Sequence, residues 1–240
     1  MTGPLCNAAV AAHESYLRLK VDAELARTPS SDCGFRLLSR SEWPQLAAIT
    51  PGMLAPLFSE LEPDLVAIHR TRRRARAKFD FHVAESGDVY FCESAGVTIF
   101  DKTGFHGPRE HKRVQALHAP AVAELSLLML SLSLGRRSYR CGYVALDIFR
   151  TVDDVVYGFH RDGEHFVGIY CVRRSCDGAR TKLARDKAGI DIVFDAVLQE
   201  GDLLFFDDAQ VFHHTTPLLA SQDGAPTQRD AVIFTLSGIT

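Results

Sequence analysis

The sequence has no apolar run of membrane-spanning length. Its longest, Leu125 to Leu134 (LSLLMLSLSL), is far short of the roughly 18 residues a spanning helix needs and carries three serines. No basic stretch precedes the short apolar run of the N-terminus, and His13 and Glu14 interrupt that run, so no signal peptide is read and a cytoplasmic protein is expected. Cys-x-x-Cys spacing is also missing. The six cysteines (6, 33, 92, 141, 171 and 176) are scattered, which favours reduced structural thiols over zinc ligands or disulfides. Charge of one sign is lacking too: 27 Lys and Arg against 30 Asp and Glu leave a net −3, which argues against a general polyanion binder. There is no internal repeat or low-complexity tether. With 46% hydrophobic and 24% charged residues, the 240-residue chain reads as one soluble globular domain.

What is present divides near residue 135. Within residues 8–27, Val10, Leu17, Val21 and Leu25 stand at spacings of seven and four and predict a helix. Ser41-Glu42-Trp43-Pro44 reads as a helix start with an early proline, followed by Leu46 and Ile49. LVAIHR from Leu65, AKFDFHV from Ala77 and DVYFCE from Asp88 predict strands, and Pro120 to Leu134 a buried helix. After Gly135 come six strand-like runs: Tyr143–Phe149, His165–Val172, Ile192–Leu198, Asp202–Phe206, Gln210–His213 and Ala231–Ser237. Short strands in such succession predict a mainly β fold with flanking helices. A helical and sheet-extending part over about 1–135 would buttress a jelly-roll, cupin-like core over about 136–240.

Chemistry concentrates in that core. In Gly158-Phe159-His160-Arg161-Asp162-Gly163, His160 and Asp162 are two residues apart, so on an extended strand both side chains point to one face. About fifty residues on, Gly201 to Pro217 predicts a strand, a turn and a returning imidazole at His213 or His214. Two imidazoles and a carboxylate on one face of an octahedral ion leave three positions open, the arrangement of non-heme Fe(II) oxygenases; zinc more often takes a closed tetrahedral set or an activated water. Arg229 heads the last strand, where a guanidinium can grip a carboxylate with two parallel hydrogen bonds; the far carboxylate of 2-oxoglutarate is its natural partner.

Taken together, His160-Arg161-Asp162-Gly163, the Gly-Asp-x-Leu-Leu run from Gly201, the string Asp208-x-x-Val211-x-His213-x-x-Thr216-Pro217, and Arg229-Asp230 before an apolar strand resemble the Fe(II)/2-oxoglutarate-dependent dioxygenases. More narrowly, they resemble the bacterial branch of L-isoleucine 4-hydroxylase and related free L-amino acid hydroxylases. The resemblance runs from about Tyr143 to Gly238. It implies a double-stranded β-helix and an enzyme using Fe(II), 2-oxoglutarate and O2 to hydroxylate an unactivated C–H of a free or modified L-amino acid, releasing succinate and CO2. It selects His213 over His214, three residues before Thr-Pro, as the third iron ligand beside His160 and Asp162. Relatives that halogenate lack the carboxylate ligand, so Asp162 implies hydroxylation. This chain departs from the relatives at Val156-Tyr157, where Pro-Glu is common, at Arg174 to Lys182, which lacks Gly-Gly-Glu, and at Asp147, where His is common.

Several other residues are assigned to the pocket, each beside a plainer role. Arg229, Thr216 and Tyr143 are read as contacts to 2-oxoglutarate; the plainer roles are a surface ion pair, shaping of the Pro217 turn, and core packing. Arg150, Tyr157 and His165 are read as substrate contacts, with Asp153 or Asp154 as the alternative partner of Arg150. The cluster Arg72, Arg73, Arg74, Arg76 and Lys78 puts three arginines on one strand face, either as a solvated or edge-protecting face or as a grip on an anionic substrate group. No aromatics alternate with them, which argues against nucleic acid. The same chemistry on a carrier-bound amino acid, a peptide or a damaged nucleobase, and a jelly-roll metal-binding protein without catalysis, are the rival functions.

Overall fold

The computed structural model describes residues 16–20, 34–59, 61–63, 72–93, 98–99, 109–110, 120–152, 158–221, 224 and 226–239. The first half supplies β1 (Tyr16–Lys20), β2 (Phe35–Leu38), β3 (Glu62–Pro63), β4 (Arg72–Val83), β5 (Asp88–Glu93), β6 (Thr98–Ile99) and β7 (Arg109–Glu110). The second supplies β8 (Cys141–Thr151), β9 (Phe166–Ser175), β10 (Asp177–Gly178), β11 (Thr181–Ala184), β12 (Ile192–Ala196), β13 (Leu203–Asp207), β14 (Phe212–Thr215), β15 (Leu218–Leu219) and β16 (Gln228–Ile239). Helices are α1 (Pro44–Ala48), α2 (Pro51–Leu54) and the long α3 (Pro120–Leu134).

One large antiparallel sheet runs β1-β5-β4-β8-β16-β9-β13-β2, with β3 on the flank of β4. A smaller sheet runs β12-β11-β14 and is continued by an isolated antiparallel bridge between His160 and His213. Two facing sheets of this order, with the chain alternating between them, form the expected double-stranded β-helix; β4, β5 and β1 widen the large sheet beyond it.

Alternation along the strands sorts side chains between the two faces. Phe166, Tyr170 and Val172 of β9, with Val232, Phe234 and Leu236 of β16, face α3 and form the main apolar core. Val167, Ile169 and Cys171 of β9 face the other way, onto Leu183 of β11 and Val211, which joins β13 to β14. This two-sided burial explains why β9 reads as an unbroken apolar run rather than an alternating one. Helix α3 is apolar all round because it too is covered on most sides; Met129 and Leu130 are fully buried. Gly168 of β9 lets the helix approach, since a Cβ there would collide with the Met129 thioether. Phe166 and Phe205 stack at 5.2 Å in the same layer, where removing either ring costs about 3–5 kcal/mol.

Two expectations are corrected. Tyr16–Lys20 is a strand paired with β5, not part of a helix; the rest of residues 8–27 lies outside the described residues. Leu17 and Leu19 alternate with Arg18 and Lys20, and pairing with an available sheet edge outweighs the sparse helical stripe. The helix start read at Ser41 to Pro44 is that of α1, with Trp43 as its cap, Pro44 in the first turn and no side-chain capping bond. The basic run is not an edge: β4 is paired along its length with β8, and with β3 and β5 on its other side. The strand expected over 65–70 falls outside the described residues. Cys92, Cys141, Cys171 and Cys176 are free thiols.

Candidate active site

His160 is brought to His213 by backbone pairing. Each donates its N–H to the other's carbonyl, at 3.1 and 2.9 Å, which locks the segment around His160 to β14 and sets the two rings 4.2 Å apart between centroids. Asp162 follows on the same side of the chain. Its Oδ1 is 4.0 Å from His160 Nε2 and its Oδ2 is 3.8 Å from His213 Nε2. These separations are too long for hydrogen bonds, and the three ligand atoms all lie within 4.8 Å of one another, close enough to meet on one ion.

The donor chemistry fits a divalent metal. A carbonyl can only accept, so the 2.9 Å contact from His160 Nδ1 to Gly158 O places the ring proton on Nδ1 and leaves the Nε2 lone pair facing Asp162. His213 is nearly buried, and that burial, with His160 beside it, pushes its pKa down to about 3, so the ring is a neutral donor. Asp162 is pushed up by desolvation first; His160 pulls it down, Asp147 and Glu164 push it up, and Arg74 pulls it down. Two imidazole nitrogens and a carboxyl group converging on one point form a donor set for a cation.

Asp208 organises the turn behind the ligands. Almost fully buried, it accepts the N–H of Asp162 (3.2 Å) on one oxygen and those of Gly163 (2.7 Å) and Glu164 (3.1 Å) on the other, and its carboxylate lies 4.0 Å from His213 Nδ1. Gly163 takes a φ of +76°, which glycine adopts without strain, so the chain turns sharply enough to bring these three N–H groups to one carboxylate. Burial, followed by the neighbouring Asp162, raises the Asp208 pKa. The sequence placed Asp208 in a motif but gave it no role; three consecutive N–H groups converging on it from 44 to 46 positions away are visible only in the fold.

The remaining assigned residues fare differently. Arg229 of β16 shares the face of β16 that carries Ile233, turned toward the small sheet, and its Nη2 is buried with no hydrogen-bond partner among the described residues. Such an orphaned guanidinium suits a carboxylate ligand. Tyr143 lies on the same face of β8 and donates its hydroxyl to Glu164 at 2.7 Å; desolvation, then that bond, pushes its pKa up to about 12. Thr216 accepts the N–H of Arg180 at 2.9 Å, tying off the end of β14. Arg150 forks onto Asp230 with two 2.8 Å bonds and lies over Phe58 on the helix-facing side; Asp153 and Asp154 lie outside the described residues. His165 stacks on Tyr139, whose hydroxyl is 3.0 Å from Nδ1. Tyr157 lies outside the described residues. His214 packs on Phe159 and is not among the three gathered ligands.

The arginine stripe lies on the same sheet face as Arg229. Arg72, Arg74, Arg76 and Lys78 pair with Thr151, Phe149, Asp147 and Ala145 of β8, on the face shared with Arg229 and Ile233, while Ala75, Ala77 and Phe79 fill the core behind.

No curated protein matches the sequence. Among solved structures, a BsmA homolog from Methylobium petroleophilum PM1 is 24% identical with a TM-score of 0.72, covering 86% of this chain and 89% of that one. IDO from Bacillus thuringiensis is 16% identical with a TM-score of 0.65, over 86% and 91% of the two chains. The Fe(II)/α-ketoglutarate-dependent dioxygenase TqaL is 17% identical with a TM-score of 0.66, over 85% and 82%. At these identities the likeness is one of fold, and it is the double-stranded β-helix described above. The sequence over residues 55–235, most of the chain and all three ligands included, matches the 2OG-Fe dioxygenase family: this chain belongs to that family and is an Fe(II)- and 2-oxoglutarate-dependent dioxygenase with a His-Asp-His facial triad.

Proposed function

We propose that the protein hydroxylates an unactivated C–H bond of a small, amino-acid-like substrate. The observation that carries this reading is the triad of His160, Asp162 and His213, with its carboxylate ligand retained, in a fold whose large sheet also turns toward the small sheet a buried Arg229 guanidinium nitrogen with no hydrogen-bond partner among the described residues. Bound iron and 2-oxoglutarate would supply the chemistry, coupling reduction of O2 and release of succinate and CO2 to oxygen insertion into the substrate.

The chain's own groups do the rest. Arg229 pairs with the distal carboxylate of 2-oxoglutarate, a charge-assisted contact of about 1.5–3 kcal/mol. Asp208 fixes the turn that presents Asp162. The apolar floor, including Ile169 and Ile233, keeps water from the reacting carbon. The string from Asp208 to Pro217 resembles that of the bacterial free L-amino acid hydroxylases, and this resemblance is the ground for an amino-acid-like substrate.

Succinate formation with Fe(II), 2-oxoglutarate and O2, measured across the proteinogenic L-amino acids, tests the reading. At least one should raise succinate above the substrate-free rate and return as a product heavier by one oxygen. Absence of stimulation by any of them would refute a free amino acid as substrate and direct the search to modified or carrier-bound ones.

A further inference from the structure

Arg76 sits on the pocket face of β4 opposite Asp147 of β8, with Arg74 one step away on the same face. Arg74 takes Asp147 for itself: its Nε and Nη2 reach one carboxylate oxygen at 3.0 and 2.7 Å. Arg76 Nε stands 3.7 Å from that same oxygen, in ion-pair range but beyond hydrogen-bond reach, and is buried with no hydrogen-bond partner among the described residues. Both arginine side chains are only 13–14% exposed. Two guanidinium groups thus share one carboxylate in a half-dry wall, and the Arg76 Nε is left with a hydrogen bond to give.

The wall is also held stiff. The Arg72 and Arg74 guanidinium groups both lie 4.7 Å from the centroid of Phe149, and Lys78 lies 4.5 Å above Tyr143. Aromatic faces of this kind restrict long cationic side chains before any ligand arrives. The nearby Glu164 accepts hydroxyl donors from Tyr143 and Ser237, at 2.7 and 2.5 Å. Glu164 stands two residues after the metal ligand Asp162, so its bond to Tyr143 ties this end of the wall to the ligand-bearing segment, and Arg74 and Asp147 act electrostatically on Asp162. It is separate from Arg229: by register, Ile233 is the β16 residue level with Arg76, and Arg229 lies four residues further along and two strands across, roughly 13 Å by 10 Å. One face therefore carries two cationic sockets, where a single 2-oxoglutarate fills one.

We propose that Arg76, with Arg74 steered beside it by Asp147, is the anchor for the substrate's carboxylate, so that the substrate is a small carboxylic acid bound by its acid end while the apolar floor receives its carbon chain. This rests on the dioxygenase reading and narrows it to carboxylate-bearing substrates. Asp147 is the residue that sets the two arginines side by side.

The test uses the anaerobic protein loaded with Fe(II) and 2-oxoglutarate, whose charge-transfer absorption reports an intact site. The proteinogenic L-amino acids and their carboxamides are screened by thermal shift, and the acid giving the largest shift is titrated by calorimetry. The expected result is stabilisation by that acid and not by its carboxamide, with binding about 10- to 100-fold weaker in Arg76→Gln while the absorption band is unchanged. Arg73→Gln, on the opposite face of the same strand, should bind as wild type. Arg76→Lys keeps charge and bulk and decides the case in which the glutamine variant does not fold: weakened binding supports the anchor, and unchanged binding overturns it. A wild-type band with no acid-dependent stabilisation, or equal binding of acid and amide, also overturns the anchor while leaving the dioxygenase reading standing. No band in the wild type overturns both.

Discussion

Replacing Asp208 separates two contributions to the site. Asp208→Ala removes the acceptor of three backbone N–H groups at 3.2, 2.7 and 3.1 Å. Charge-assisted bonds are worth about 1.5–3 kcal/mol each, but amides near the pocket mouth regain water, so a net loss of about 3–4 kcal/mol is expected. In Asp208→Asn the single oxygen can occupy the position that serves Gly163 and Glu164, keeping two bonds. The amide nitrogen then faces the Asp162 N–H, a donor against a donor, for about 1.5–2 kcal/mol. Both changes free the turn that aims Asp162 and remove the carboxylate beside His213, so iron affinity should fall about 10- to 100-fold. Urea unfolding of the metal-free protein gives the first number and Fe(II) titration the second. Metal-free stability within about 1 kcal/mol of wild type for Asp208→Ala, with normal iron affinity, would refute the claim that these bonds hold the site.

Other consequences can be checked alongside. Arg150→Leu leaves the buried Asp230 with Gln228 as its remaining side-chain partner among the described residues; it should cost about 2–4 kcal/mol in urea unfolding and leave 2-oxoglutarate affinity unchanged, whereas unchanged stability with lost binding would make Arg150 a ligand contact after all. Arg229→Ala should weaken 2-oxoglutarate binding about 10- to 100-fold, read by titration of the charge-transfer band, with little change in metal-free stability; full affinity would remove Arg229 from the co-substrate site. Gly168→Ala forces a methyl against Met129 between sheet and helix and should destabilise by about 1–3 kcal/mol, since the thioether can move only partly; a neutral result would mean the helix is free to shift.

Residues that act across short chain distances were legible in the sequence. His160 and Asp162 share a face because the strand period is two, and the two-sided burial of β9 and of α3 follows from their unbroken apolar runs. The choice of His213 over His214 came from a family motif, and the fold gives the physical reason: His213 pairs with His160 and turns inward onto Phe206, while His214 packs on Phe159. Long-range partners were not legible. Nothing near Arg150 announces Asp230, 80 positions on, or near Arg74 announces Asp147, 73 positions on. The sequence showed three arginines on one strand face without showing that β4 is an interior strand or that Arg74 and Arg76 are largely buried. At Tyr16–Lys20 helical and alternating patterns coexist, and the open edge of β5 decides between them.

The central claim is that His160, Asp162 and His213 hold one iron in a site that also takes 2-oxoglutarate. Anaerobic titration of Fe(II) into wild-type protein with 2-oxoglutarate should develop the visible charge-transfer band of the chelated metal at one equivalent per chain, and His160→Ala should not develop it. Absence of the band in the wild type, or a band of equal strength in His160→Ala, would contradict the account.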